Sequence, residues 1–201
     1  MTQEDQHSGS PTTDAPQSDE DGPSRSSDGL DLVIRIDQPS WQAAVADLDG
    51  VVQRAATAAL TPFEHGAVDL SVVLADDAAV RALNRDHRGK DKATNVLSFP
   101  AAFSEPDGAE QLGDVILAFE TVRDEAQAQE KALSDHLTHL VVHGVLHLMG
   151  LDHETAEEAE DMEALERDLL AGLGIADPYT DPLDTEPSES RVDLRQSGQA
   201  A

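Results

Sequence analysis

Apolar residues recur along the chain with two periods, one typical of strands and one of helices. In LDLVIRID, residues 30–37, Leu and Ile alternate with Asp, Val and Arg, which predicts a strand with one buried face. Apolar stretches predict three further strands, at VDLSVVLA (68–75), NVLSFP (95–100) and GDVILA (113–118). Pro100 ends the third of them, since proline cannot donate to a sheet.

Helical periodicity and capping residues predict five helices between and after these strands. They cover Ser40 to about Leu60, AAVRALN after a cap at Asp76 or Asp77, ETVRDEAQAQEKA, SDHLTHLVVHGVLHLMG, and a segment from Thr155 to about Leu173. Gly50 weakens the first helix, and Gly150 suits the end of the fourth. The order of elements predicts an α+β fold, a single domain with a small mixed four-stranded sheet packed with about five helices.

Composition limits this domain to residues 29–180. Residues 1–28 and 181–201 are polar and acidic with few apolar side chains, which predicts disordered tails. The chain has no apolar run near 18 residues and no signal-peptide pattern, so we expect a cytoplasmic protein with no membrane association.

The chain carries 41 Asp+Glu against 13 Lys+Arg, a net charge of -28. This balance by itself argues against nucleic acid as a partner, because phosphate binding normally needs a basic face. A protein adapted to a salty cytoplasm would carry such a surface. Screening over a few ångströms, at about 1 M salt, would then let it approach RNA.

The stretch HGVLHLMGLDH contains a candidate metal site. His143 and His147 are four residues apart and therefore share a helix face, and Gly150 allows a sharp turn that returns His153 to the same ion. The chain has no Cys, so imidazole-ligated zinc is the natural choice. Three protein ligands leave one position open, which is typical of catalytic zinc, and Asp152 is a candidate partner for a ligand imidazole.

His139 is one helical turn before His143 but is not expected to be a ligand. His139 and His147 would be about 12 Å apart along a straight helix, which one ion cannot span. We therefore predict that His139 is a neighbour of the site or a packed core residue.

Gly144 separates this histidine pattern from the metzincin zinc proteases, whose spacing it shares. Those enzymes place a Glu general base next to the first histidine. Its replacement by Gly weakens a peptidase reading and is compatible with close helix packing.

Half of the ten basic residues between positions 29 and 176 lie in one stretch, RALNRDHRGKDK. They are Arg81, Arg85, Arg88, Lys90 and Lys92. In so acidic a chain this basic segment, which the sequence predicts as mostly loop, is a candidate phosphate contact. The alternative is a solvated loop whose charges pair with the abundant carboxylates.

Together, HGVLHLMGLDH and LNRDHRGKDKATNVLSFP resemble the two signatures of the YbeY family of bacterial endoribonucleases. LGDVIL and the acidic helix EEAEDMEALE also resemble the family, and the similarity covers about residues 30–180. Leu151 stands where the family usually has Tyr, which removes a phenol beside the site. Asn95 stands where some members have Asp, so no acid–base role is assigned to it.

The resemblance implies a compact α+β domain with one Zn²⁺ ion on His143, His147 and His153, and a role in activity for Arg88. It implies a single-strand-specific endoribonuclease acting in 16S rRNA 3′-end maturation and ribosome quality control. The implied partners are the 16S precursor 3′ end and the small ribosomal subunit, with a ribosomal protein or an assembly GTPase as further candidates.

The resemblance and the residues are together consistent with a zinc mechanism. Zinc would polarise a phosphoryl oxygen or activate water, and Arg88 would stabilise the transition-state charge. Two alternatives stay open: a non-catalytic ribosome-assembly factor with a structural zinc, and a metallopeptidase lacking the usual Glu base.

Overall fold

The computed structural model describes residues 29–102 and 109–180, which form four strands and six helices. The predicted tails lie outside the described residues. In chain order the elements are β1 (Leu30–Ile36), α1 (Ser40–Ala44), α2 (Leu48–Leu60), β2 (Val68–Ala75), α3 (Asp77–Arg88), β3 (Val96–Pro100), β4 (Glu110–Ala118), α4 (Phe119–Ala128), α5 (Leu133–Leu148) and α6 (Ala156–Gly172).

The strands form one mixed sheet in the order β1-β2-β4-β3. β1, β2 and β4 are parallel, whereas β3 runs antiparallel to β4 at the edge of the sheet. The helical connections between β1 and β2 and between β2 and the β3–β4 pair are those that parallel strands require. The predicted α+β fold with a small mixed four-stranded sheet is confirmed.

Hydrophobic cores lie on both faces of the sheet. In β2, Leu70, Val72 and Leu74 belong to the larger core, which helices α2, α4 and α5 cover. Val73 and Ala75 alternate with them and belong to a smaller core with Val80 of α3. The two-residue period of a strand therefore assigns successive β2 side chains to different helical layers.

Helix α5 lies at the centre of this arrangement and contacts α2, α4, α6, β3 and β4. Nine of its residues are buried. The helix that carries two of the candidate ligands is thus also the best-packed helix of the domain. No helix in the described part of the chain has both the length and the apolar character needed to cross a bilayer.

The first predicted helix is interrupted, so the domain has six helices rather than about five. Val45 is extended, and Asp47 takes a left-handed conformation with φ 50, which Asp tolerates better than most residues. A Cβ at Gly50 would lie 2.3 Å from a carboxylate oxygen of Asp47. Gly50 therefore leaves room for the Asp47 carboxylate at the start of α2. The helix break itself lies before Gly50.

Helix α3 is longer than predicted and includes residues that the sequence suggested were loop. Asp76 caps it by accepting a hydrogen bond from the backbone N–H of Ala79 at 2.8 Å. Gly89 ends it with φ 69. The last turn contains only polar residues, so no apolar periodicity indicates a helix there. Its basic residues are nevertheless favourable at a helix C-terminus.

Candidate metal centre

The pair His143 and His147 occupies one face of α5, as their spacing predicts. Both side chains are partly buried, and their Nε2 atoms lie 3.0 Å apart. A Cβ at Gly144 would lie 2.6 Å from Cγ1 of Val115 in β4, so only glycine allows α5 to come this close to the sheet. The close packing fixes the height of both imidazoles above the strand.

The turn after α5 brings His153 to the same point. Gly150 has φ 90, and the backbone N–H of Leu151 donates to the carbonyl of Leu146 at 3.1 Å. One ligand atom from each of the three histidines lies within 4.8 Å of the others. The predicted grouping of His143, His147 and His153 is therefore observed, and it could bind a metal ion.

The other ring nitrogens of the α5 pair have fixed partners. His143 Nδ1 donates to Oε1 of Glu166 at 2.8 Å, and His147 Nδ1 donates to the carbonyl of Leu151 at 2.9 Å. Both partners can only accept, so each Nδ1 carries a proton and each Nε2 is the atom available to a metal ion.

This arrangement fits a cation. The two Nε2 atoms, 3.0 Å apart, are close enough to share either a proton or a metal ion. Nitrogens bound to one tetrahedral zinc would be about 3.3 Å apart, given Zn–N bonds of about 2.0–2.1 Å. A carboxylate behind one ligand imidazole and a carbonyl behind the next are the usual outer partners of such a site.

Electrostatics favours the neutral, metal-binding form of His147. Burial, and next the neighbouring His143, lower the pKa of His147, so its imidazole stays neutral to lower pH. Burial alone would raise the pKa of the Glu166 carboxyl, but hydrogen bonds from His139 and His143 lower it to about 2. Glu166 is therefore ionised although its side chain is fully buried, at 0% exposed.

The three histidines line a cleft with a volume of about 640 Å³. Arg88, at the end of α3, lines the same cleft. Its Nη2 donates to the backbone carbonyl of Ser98 at 3.3 Å, and its guanidinium lies 5.9 Å from the centre of the Phe99 ring. Arg88 thus shares the cleft with the histidines, and its side chain is exposed to whatever enters.

The basic residues of this stretch divide into two groups. Arg81 forms a two-bonded ion pair with Asp91, and Arg85 pairs with Asp86. Carboxylates thus neutralise part of the segment, as one sequence interpretation expected. Arg88 lines the cleft instead, so a phosphate contact at that position stays a prediction.

A chain of polar contacts leads from the cleft into the protein. Asn95 lines it and donates through Nδ2 to Glu125 at 3.0 Å. The same oxygen of Glu125 bonds to Nε2 of the buried His136 at 2.9 Å. Asn95 is therefore held by α4 and α5 and is fixed in position.

The structure corrects the prediction for Asp152 and confirms the prediction for His139. Asp152 accepts from the backbone N–H of His153 at 2.8 Å, so the ligand partners are Glu166 and the Leu151 carbonyl instead. His139 is confirmed as a neighbour of the site, since its Nε2 lies 3.0 Å from Oε2 of Glu166.

Glu166 is a site residue that sequence reasoning missed. It lies between Met162 and Leu170, each four residues away, and the three side chains form the buried stripe of α6. A carboxylate in the middle of an apolar stripe is costly unless it is paired. A charged residue within this apolar stripe was the sequence feature that could have indicated a functional role for Glu166.

The chain matches the family described as Endoribonuclease YbeY over residues 34–174. An endoribonuclease YbeY of Paramagnetospirillum magneticum is 53% identical over 157 residues, covering 75% of this chain and 96% of the relative. That of Azorhizobium caulinodans is 50% identical over 157 residues, covering 76% and 98%. A Thermotoga maritima protein of known solution structure aligns with a TM-score of 0.46 and 22% identity, over 80% of this chain and 99% of its own.

Proposed function

The chain belongs to the endoribonuclease YbeY family, and we propose that it is a zinc-dependent, single-strand-specific endoribonuclease acting in 16S rRNA 3′-end maturation and ribosome quality control. An endoribonuclease role follows from membership of the family. The zinc, the rRNA substrate and the cytoplasmic location are proposals, as are partnerships with the small ribosomal subunit and with a ribosomal protein or an assembly GTPase.

One observation carries the metal part of the proposal. Three imidazole ligand atoms lie within 4.8 Å of one another in a cleft that also contains an exposed arginine. His143, His147 and His153 would hold the ion. When bound, a zinc ion would supply Lewis-acid polarisation at the phosphodiester.

Arg88 supplies a positive charge in the same cleft. A guanidinium can donate two parallel hydrogen bonds to phosphate oxygens, and it stays charged at any physiological pH. We assign to Arg88 the stabilisation of negative charge on the phosphorane-like transition state. Its 3.3 Å contact with a backbone carbonyl is weak enough to exchange for a phosphate.

The position next to the first ligand cannot hold a peptidase base. The space that a side chain would need at residue 144 is filled by Val115 and Ser98. A Glu in place of Gly144 would collide with β4, which argues against the metallopeptidase alternative.

The test is cleavage of a single-stranded RNA that carries the 16S 3′ precursor end, with zinc-loaded protein at low and high salt. We expect cleavage by the unmodified protein and none by His147→Ala, which loses one ligand. Arg88→Ala should bind zinc and cleave poorly. A duplex of the same sequence should resist cleavage.

The alternatives give different results. Cleavage by metal-free His147→Ala protein would rule out the zinc mechanism. RNA binding without turnover, combined with unfolding when zinc is removed, would support the assembly-factor alternative, in which the metal is structural.

A further inference from the structure

We propose that Tyr179, on the segment after α6, is a positioning residue for the metal centre that acts through Glu166 on His143. The inference rests on the proposed zinc site. It assigns a function to the C-terminal strap, which we define as residues 175–180. None of the strap residues is a ligand, and its effect is transmitted by one buried carboxylate.

The strap is held in place by contacts from two helices and a loop. The Tyr179 ring lies 5.6 Å from the His139 ring, edge to face, and the Arg167 guanidinium is 5.9 Å from the tyrosine ring centre. Lys131 Nζ donates to the carbonyl of Pro178 at 2.7 Å. These contacts place the phenol hydroxyl on Oε2 of Glu166.

Both oxygens of Glu166 are then committed. Oε1 accepts from His143 Nδ1, while Oε2 accepts from His139 Nε2 and from the Tyr179 hydroxyl. The side chain is 0% exposed, so water cannot replace a missing donor without rearrangement. A buried carboxylate is tolerated only with such donors, and losing one leaves its charge and its orientation less well fixed.

The orientation of Glu166 determines that of the first ligand. His143 presents Nε2 to its neighbour His147 because Nδ1–H is anchored on the carboxylate. Removing the phenol hydroxyl leaves Oε2 with the His139 hydrogen bond alone, so the carboxylate, and with it the His143 ring, is held less firmly. Outer partners of metal ligands typically affect metal affinity by about 10–100-fold when they are removed.

The experiment measures zinc affinity of the full chain by competition with a chromogenic chelator. Tyr179→Phe keeps the ring contacts and removes only the hydroxyl. We expect about a 10-fold loss of affinity, at the lower end of that range. Glu166→Gln keeps the shape and should lose more. Both variants are also loaded with Co²⁺, because its visible absorption bands report ligand geometry and should shift.

The matched control is Thr180→Val, which removes the neighbouring hydroxyl of the same strap. That hydroxyl donates to the carbonyl of Asp177 at 3.0 Å and does not bond to Glu166. Its zinc affinity and Co²⁺ spectrum should equal those of the unmodified chain. Thermal unfolding of the metal-free proteins shows whether each variant is folded. If Glu166→Gln does not fold, Tyr179→Phe still provides the test, because Tyr179 is 41% exposed and its substitution disturbs the core little.

The outcomes separate the two levels of inference. An unmodified chain that binds no zinc overturns the proposed function. Zinc bound equally by the unmodified chain and Tyr179→Phe, with unchanged Co²⁺ bands, overturns the strap's role alone. A loss shared by Thr180→Val would also contradict it, since the effect would then belong to the strap's fold and not to the hydroxyl.

Discussion

The two halves of the metal centre are built in different ways. The inner half is His143 and His147, which lie on the best-packed helix and have a carboxylate and a carbonyl behind them. The outer half is His153 and Arg88, both exposed, one following a glycine turn and the other ending a helix. The rings of the inner half have hydrogen-bond partners within the protein, whereas those of the outer half would gain partners from a bound ion and an RNA substrate.

This difference indicates how stability and chemistry are divided. A buried group satisfies the hydrogen bonds of its neighbours. Substituting it therefore lowers the free energy of unfolding as well as the affinity for metal. Exposed groups can be changed at little cost to the fold. The following predictions test that division, beginning with the largest expected effect.

His143→Ala and His153→Ala each remove one ligand, and we expect both to abolish zinc binding at micromolar zinc. They should differ in the metal-free protein. His143→Ala takes a donor from buried Glu166 and should reduce the free energy of unfolding by about 1–3 kcal/mol. His153→Ala should stay within about 0.5 kcal/mol of the unmodified chain.

Denaturant unfolding of the metal-free variants, together with zinc competition, makes this comparison. Equal stabilities would show that the inner half is no better fixed than the outer half. Asp152→Asn, beside His153 and exposed, is a control that should change neither quantity much.

Arg88→Ala should lower the single-turnover cleavage rate by about 10²–10³-fold, the usual cost of one lost charge-stabilising donor. Zinc affinity and unfolding free energy should not change, because Arg88 is exposed and makes one weak hydrogen bond. Arg88→Lys should recover only part of the rate, since a lysine cannot form the two-bonded contact. A fall in zinc affinity would place Arg88 in the metal site instead.

Gly144→Ala should destabilise the fold by about 1–3 kcal/mol, because the added methyl group would overlap Val115 in a packed core. Zinc affinity should fall with it as α5 moves away from β4. Gly172→Ala provides the control, since a Cβ there meets nothing within 4 Å. Equal stability of the two variants would mean that α5 has room to move.

The smallest effect is expected at low pH. Burial would raise the pKa of Glu125, but hydrogen bonds from His136 and Asn95 lower it below the usual 4.5. A lowered folded pKa stabilises the protein above the unfolded pKa, and this contribution is lost as the pH falls below about 4.5. Glu125→Gln should therefore flatten the dependence of unfolding free energy on pH in that range, and part of the dependence should remain because Glu166 also has a lowered pKa.

The sequence predicted those parts of the molecule that depend on local period and spacing. The strands, α6 with its capping box at Thr155 and Glu158, and the three ligands all follow from residues close together in the chain. The turn at Gly150 was predictable for the same reason, because a left-handed residue after a helix favours glycine.

The remaining features depend on contacts between distant residues. Glu166 is 23 positions from His143, and Tyr179 reaches the same carboxylate from a segment that has no regular structure. The break at Asp47 reflects a single backbone conformation, and no periodicity reports it. Ser98 joins β3 to α5 by donating to the Gly144 carbonyl at 2.9 Å, a contact that only the packed fold creates.

The contact at Leu151 has a consequence for how this site can vary. His147 is oriented by the carbonyl of residue 151, so the bond is available whichever side chain stands there. A leucine in place of a tyrosine therefore keeps this hydrogen bond, while the Leu151 side chain packs against the core. Proline would not be equivalent, because the N–H that closes the helix end on Leu146 would be lost. The main chain at this position thus orients His147, and the side chain contributes to packing instead.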